Sequence, residues 1–296
     1  MKILLFGADG QVGWELQRAL SPLGQVQALT RGQADFAQAL APHIEQYQSE
    51  VIVNAAAYTA VDRAQAEPEL ALRVNALAVE EIAAAARRRG ALLVHYSTDY
   101  VFDGRKSGPY REDDPPAPLS VYGRSKLAGE AAIVAAGGPH LILRTSWVYA
   151  QRGRNFARTI LQRACALDRL QVVADTHGVP TSAELIADVT ALAIRQWRSG
   201  SHVASGIYHL VPSGETTWHG YAGYLIEQAR AAGMPIRVAP DQIEPVPAST
   251  FAAPAQRPLN SRLDNRKLQQ HFSLELPDWR LHVRRLADAL ARETLA

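Results

Sequence analysis

Short apolar runs without polar alternation recur through the first half of the chain, each followed by a stretch with helical spacing. Lys2–Phe6 (K-I-L-L-F), Gln25–Thr30, Val51–Asn54, Ala91–Ser97 and His140–Arg144 are such runs. Strands of a parallel sheet read this way because crossover helices bury both of its faces. The intervals carry W-E-L-Q-R-A-L after the first run, an alanine-rich region from Glu67 to Arg89, and a helical segment beginning near Val121. The alternation predicts an α/β fold with a doubly wound parallel sheet over residues 1–150.

Beyond Ala150 the rhythm loosens. Helical patterns fall at Asn155–Leu167, Ser182–Trp197, Thr217–Ala232 and Asp278–Glu293, with short strands near Val172 and at Gly206–Leu210. A smaller α/β substrate domain is expected over residues 151–296, with a helix near 182–198 returning to the first sheet. The segment from Pro240 to Pro258 also holds Pro245, Pro247 and Pro254, which argues against regular structure there. It reads as a long ordered loop, of the kind that covers a substrate.

Bulk properties narrow the partners. Thirty-one Lys and Arg against 29 Asp and Glu leave a net charge of +2, which offers no electrostatic footprint for nucleic acid. Arg87-Arg88-Arg89 close a helical stretch, where cations suit the dipole. The single cysteine, Cys165, excludes an intrachain disulfide, and its helical surroundings read as those of a buried structural thiol. The first strand starts at residue 2, so no signal peptide is expected, and no apolar run nears the ~20 residues that span a bilayer. A soluble, cytoplasmic protein is expected. Histidines and the cysteine lack metal-ligand spacing, so no transition-metal site is expected.

Candidate chemistry gathers at the ends of the runs. Gly7, Gly10 and Gly13 form G-x-x-G-x-x-G at the first strand-to-helix turn, where a Rossmann fold sets a pyrophosphate on helix-start amides. The second strand ends at Thr30-Arg31 without the carboxylate that often reads a ribose. Arg31 is either an exposed surface arginine or the partner of a 2′-phosphate, and the missing acid favours NADPH. Ser97, Thr98 and Asp99 close the fourth strand, where ligands of open sheets bind. His95 reads as a core histidine and Asn75 as a helix-surface amide. Tyr122 and Lys126 are four apart and share one helix face. An ammonium there is expected to lower the phenol pKa and make Tyr122 a proton donor near neutral pH.

Taken in order, the glycine turn, the S-T-D strand end and Y-x-x-x-K resemble the extended short-chain dehydrogenase/reductase superfamily. Longer segments, V-I-V-N-A-A-A-Y-T-A-V-D, H-Y-S-T-D-Y-V-F-D-G, V-Y-G-R-S-K-L-A-G-E, R-T-S-W-V-Y-A and R-P-L-N-S-R-L-D, resemble the dTDP-4-dehydrorhamnose reductases along nearly the whole chain. The resemblance implies reduction of the 4-keto group of dTDP-4-dehydro-β-L-rhamnose by NADPH or NADH, in the synthesis of surface polysaccharide. It implies Tyr122 as acid, Lys126 as its partner and Thr98 as a second donor to the carbonyl, with Asp99 and Trp147 at the sugar. Gly10, Gln11 and Val12 match the diphosphate turn, Asp35 and Phe36 the adenosine end, and Ala56, Ala57, Tyr58 and Tyr96 the cofactor crevice. Some relatives form a magnesium-linked homodimer through glutamates, and Glu15 matches one such position. Arg257 and Asn260 read either as pyrophosphate ligands or as anchors of the proline-rich loop. A nucleotide-sugar 4-epimerase and a non-catalytic regulatory subunit are the competing functions on this fold.

Overall fold

The computed structural model describes residues 1–38, 40–200 and 205–295. The five apolar runs form β1 (Lys2–Phe6), β2 (Gln25–Leu29), β3 (Val51–Asn54), β4 (Leu92–Thr98) and β5 (His140–Thr145). A sixth strand, Gly206–His209, joins from far along the chain, so the sheet runs β2-β1-β3-β4-β5 and then that strand. Every neighbouring pair is parallel. Sequence order reverses direction between β1 and β3, and their carboxyl ends part there into a crevice.

The Gly206–His209 strand was expected in the second unit, yet it pairs with Leu141–Arg144 of β5. Its open edge is closed by side chains: Glu112 Oε1 accepts from the His209 amide at 2.9 Å, and Lys267 Nζ donates to the Ile207 carbonyl at 2.7 Å. The Ala183–Arg198 helix lays Ile186, Val189 and Ile194 beside Leu16 and Leu20 of the Gln11–Leu20 helix, over Ile3, Leu5 and Val94 of the sheet. On the other face the alanines of the Ala78–Arg89 helix let it sit close over Leu4, Ile52 and Leu93.

A separate core fills the second part. Helices Phe156–Ala166, Trp218–Ala231 and Trp279–Leu295 close around Tyr221 and Trp279. Regular structure does enter the proline-rich segment, contrary to expectation: Ile243–Val246 pairs in parallel with Leu170–Val173. A two-stranded ribbon has only edge strands, and an edge tolerates a proline such as Pro245. Cys165 lies on the Phe156–Ala166 helix and is only partly buried.

The alanine-rich region is not one helix. It divides into Pro68–Leu72, a π-turn at Arg73–Leu77, and Ala78–Arg89. Against that turn packs the Val121–Ala136 helix, capped by Ser120, whose Oγ accepts from the Gly123 amide at 3.1 Å. Two glycines set its distance from its neighbours. A β-carbon at Gly123 would stand 2.2 Å from the Tyr100 carbonyl oxygen, and one at Gly129 2.2 Å from that of Asn75. The helix is also clamped to β5: Arg144 Nε and Nη2 meet the two carboxylate oxygens of Glu130 at 2.9 and 2.6 Å, with both residues 2% exposed.

Removing one partner of such a pair leaves a buried charge without compensation, a loss of about 3–5 kcal/mol. Glu130→Leu is therefore expected to bring the urea midpoint forward by an amount equivalent to that loss. An unmoved midpoint would show that the pair does not hold the helix.

Candidate active site

The crevice at the carboxyl ends of β1 and β3 is built from backbone. Gly7 has φ 78°, and a β-carbon on it would lie 2.6 Å from the Ala56 amide nitrogen. A β-carbon on Gly13 would stand 1.9 Å from the Gly7 carbonyl oxygen. Only glycines let the first turn, the helix behind it and the end of β3 close up this far. The space left is a cavity of about 360 Å³, lined by Gly7, Gly10, Arg31, Asp35, Phe36, Ala56, Ala57 and Tyr58. Its glycine turn and helix-start amides fit the diphosphate of a dinucleotide.

Of the remaining cofactor candidates, Gln11, Val12 and Tyr96 do not line that cavity. Val12 packs against the sheet core, and Gln11 Oε1 accepts from Asn155 Nδ2 at 2.9 Å. Phe36 is buried edge-on to Phe6, with ring centroids 5.4 Å apart. Asp35 turns a carboxylate oxygen back to the Ala37 amide at 3.0 Å. Tyr58 donates from its hydroxyl to Glu67 at 2.5 Å, and Glu67 also holds Arg63 at 3.0 Å. Arg63 lines the same cavity as Arg31, a second guanidinium that the strand-end reading missed. Tyr96 turns its hydroxyl away to Thr190 at 2.8 Å, so its carbonyl is what it offers the site.

At the end of β4 Thr98 lies near enough to Tyr122 to act on its phenol. Thr98 Oγ1 also donates to Asp99 Oδ1 at 3.0 Å. The Tyr100 ring meets the Tyr122 ring edge-on at 5.5 Å. Burial pushes the Tyr122 phenol up to about 12, with Thr98 opposing and the Asp99 carboxylate adding to the rise. This overturns the expected lowering by Lys126. The Lys126 amine is directed elsewhere, 2.6 Å from the Tyr96 carbonyl oxygen and 3.2 Å from His95 Nε2. Burial draws Lys126 itself down to about 8 and lifts Asp99 to about 6. A phenol near 12 is fully protonated at neutral pH, as a proton donor has to be. His95 is fully buried, as expected of a core histidine, yet it touches Lys126.

Asn75 is no surface amide. It is 1% exposed, because the π-turn swings it inward. Its Oδ1 accepts from the Tyr58 amide at 2.8 Å, while Nδ2 donates to the Tyr58 carbonyl and to Ser125 Oγ, each at 3.0 Å. One side chain thus fastens the cofactor crevice to the helix carrying Tyr122 and Lys126.

Beyond Tyr100 opens a second cavity of about 590 Å³, with Trp147, Phe156, Trp218, Phe251 and Arg257 in its wall. Trp147 adopts φ 47° and stacks on Trp218 at 3.7 Å with 15° between the planes. Trp218 was not foreseen, since nothing in the spacing links it to a tryptophan 71 positions earlier. The two readings of Arg257 and Asn260 now separate. Asn260 Nδ2 donates to the Lys106 and Gly108 carbonyls at 2.7 and 2.8 Å and holds a loop, whereas Arg257 lies in the cavity wall and pairs with Asp62 at 2.7 Å. Glu15 is engaged by Arg18 at 3.3 Å, and among the described residues no three His, Cys, Asp or Glu side chains gather as a metal site.

The chain matches the family model described as the RmlD substrate binding domain over residues 1–292. It is 50% identical over 300 residues to the dTDP-4-dehydrorhamnose reductase of Escherichia coli strain K12, with 99% of each chain covered. The enzyme of that name from Burkholderia thailandensis is 49% identical over 288 residues, with 96% of this chain and 97% of that one covered. A solved dTDP-4-dehydrorhamnose reductase from Bacillus anthracis, in complex with NADP, is similar with a TM-score of 0.86 at 30% identity, over 96% of this chain and 98% of that one. With half its residues shared from end to end with enzymes of one name, the chain belongs to the dTDP-4-dehydrorhamnose reductase family.

Proposed function

We propose that the protein reduces the 4-keto group of dTDP-4-dehydro-β-L-rhamnose to give dTDP-L-rhamnose, with NADPH as reductant. One observation carries the reading: Thr98, bonded to Asp99, and Tyr122, edge-on to Tyr100 of the cavity walled by stacked tryptophans, come together at the end of β4, with Lys126 one helical turn away. The family membership supports the sugar and the cofactor.

The bound nicotinamide supplies the hydride for the carbonyl carbon. The chain's own task is the oxygen, where negative charge grows. Tyr122 hydrogen-bonds that oxygen and gives up its proton, so that one hydride and one proton make the alcohol. Thr98 is a second donor, and donors fixed in advance toward a developing oxyanion contribute ~3 kcal/mol each. A protonated Lys126 offsets the phenolate left at Tyr122. Trp147 and Trp218 present a flat wall to the nucleotide sugar, and Arg257 is a cation within reach of its diphosphate once released from Asp62. Arg31, with Arg63 beside it, would hold the 2′-phosphate that distinguishes NADPH from NADH. The reading extends to a cytoplasmic homodimer, as the family resemblance implies. No helix among the described residues is long and apolar enough to cross a membrane.

The assay follows NADPH absorbance with the keto sugar generated in the same tube. Stoichiometric oxidation with a dTDP-rhamnose product is the expected result, and NADPH binding without net oxidation would favour an epimerase. Tyr122→Phe should lower turnover by two or more orders of magnitude while NADPH affinity is kept; a near-normal rate would remove Tyr122 from the role of acid. Arg31→Ala should raise KM for NADPH about tenfold or more, the scale of a lost charge-assisted bond, and leave KM for NADH in place. Equal effects on both coenzymes would detach Arg31 from the 2′-phosphate.

A further inference from the structure

Behind Lys126 stands a buried chain of hydrogen bonds whose donor order is fixed from one end. Asn54 closes β3, and its Oδ1 accepts from the Ala56 amide at 3.0 Å. That bond settles the amide's orientation, since the reverse would set two donors face to face. Asn54 Nδ2 therefore donates to His95 Nδ1, 3.1 Å away. A neutral imidazole that accepts at Nδ1 carries its hydrogen on Nε2. Nε2 faces Lys126 Nζ at 3.2 Å, and Nζ already donates to the Tyr96 carbonyl at 2.6 Å. An amine has a lone pair to accept the Nε2–H. An ammonium has none.

We propose that His95 is a positioning residue for the reduction: backed by Asn54, its Nε2–H opposes an ammonium at Lys126 and so sets the alkaline limit of turnover. The proposal rests on the reading of function above only for its link to turnover, because the hydrogen-bond order is independent of it. The charged groups facing Lys126 leave this balance to His95. Glu130, one turn along the same helix, favours the ammonium, but Arg144 of β5 holds both its oxygens. From β4 the facing groups are His95 and the Tyr96 carbonyl, while Asp99 acts on Tyr122 at the far end of the site. His95 cannot take up a second proton to relieve the conflict, since complete burial and the neighbouring lysine both hold its pKa well below the ordinary value. The sign follows: Lys126 is charged below its pKa and neutral above it, so kcat/KM falls as pH rises through that pKa in the free enzyme.

The chain has four lysines, Lys2, Lys106, Lys126 and Lys267, so the amine can be read directly by NMR on cofactor-free protein labelled with [ε-13C]lysine. Lys126 should titrate at about 8, and His95 should show a pyrrole-like 15N signal at Nε2 and a pyridine-like one at Nδ1. His95→Asn keeps an acceptor for Asn54 and deletes the opposing N–H. It should raise the Lys126 pKa by about one unit or more, with the alkaline limb of kcat/KM moving by the same amount. Asn54→Asp turns the imidazole to its Nδ1–H form and should shift both in the same direction. A wild-type Lys126 that titrates with the other three, a ring protonated at Nδ1, or an unchanged Lys126 pKa in His95→Asn would overturn the proposal. A limb that stays fixed while the NMR pKa moves would overturn the role in turnover. Absence of reduction with the NMR result as expected would sink the functional reading alone, because the titration needs no substrate.

Discussion

A carboxylate and a guanidinium taken wholly out of water hold each other with two short hydrogen bonds, and much of the site hangs from them. Glu130 and Arg144 tie the Val121–Ala136 helix to β5, and two glycines let the same helix press its backbone against the turns around Asn75 and Tyr100. Held this way, the helix has little freedom to slide or rotate. Tyr122 meets Tyr100 and Lys126 meets the Tyr96 carbonyl because the helix has one available register. A looser helix would carry the same residues without fixing the direction of either side chain.

Dryness then sets the protonation of the residues so placed. Burial lifts the phenol of Tyr122 and the carboxyl of Asp99 and lowers the amine of Lys126, each toward its uncharged form. At neutral pH the ligand-free pocket still holds a protonated Lys126 and an ionised Asp99, each nearer to losing its charge than it would be in water. A neutral phenol is the right species to deliver a proton, and Lys126, charged below about 8, is the group that stabilises its conjugate base. Spacing alone suggested a standing ammonium–phenolate attraction. The geometry instead directs the amine at a carbonyl and an imidazole.

This difference marks how far the residues could be read without coordinates. β1 and β3 to β5 were legible because strands buried on both faces keep one simple composition, and Gly7, Gly10 and Gly13 because so few residues tolerate that turn. Tyr122 and Lys126 were legible as a pair, since a spacing of four fixes a shared face. Which way Lys126 points was not, because that depends on a histidine 31 positions earlier. Asn75 was misread because a π-turn shifts the phase of a helix by a residue, and a periodic reading has no means of seeing it. Trp218 and the sheet strand at Gly206–His209 depend on packing between distant segments. Pro245 was taken to break a strand, which holds for a central strand and not for a ribbon with two edges.

The sheet's last strand has a consequence outside catalysis. Along its outward side the Ile207 carbonyl and the His209 amide are taken by Lys267 and Glu112, side chains from two other segments. A bare row of amides and carbonyls would be a template for the edge of another molecule. Here a second chain would have to displace a lysine and a glutamate, and leave their charges unpartnered, before it could add a strand. Two backbone groups of the edge where the last strand is added are thus closed to β-pairing with another molecule.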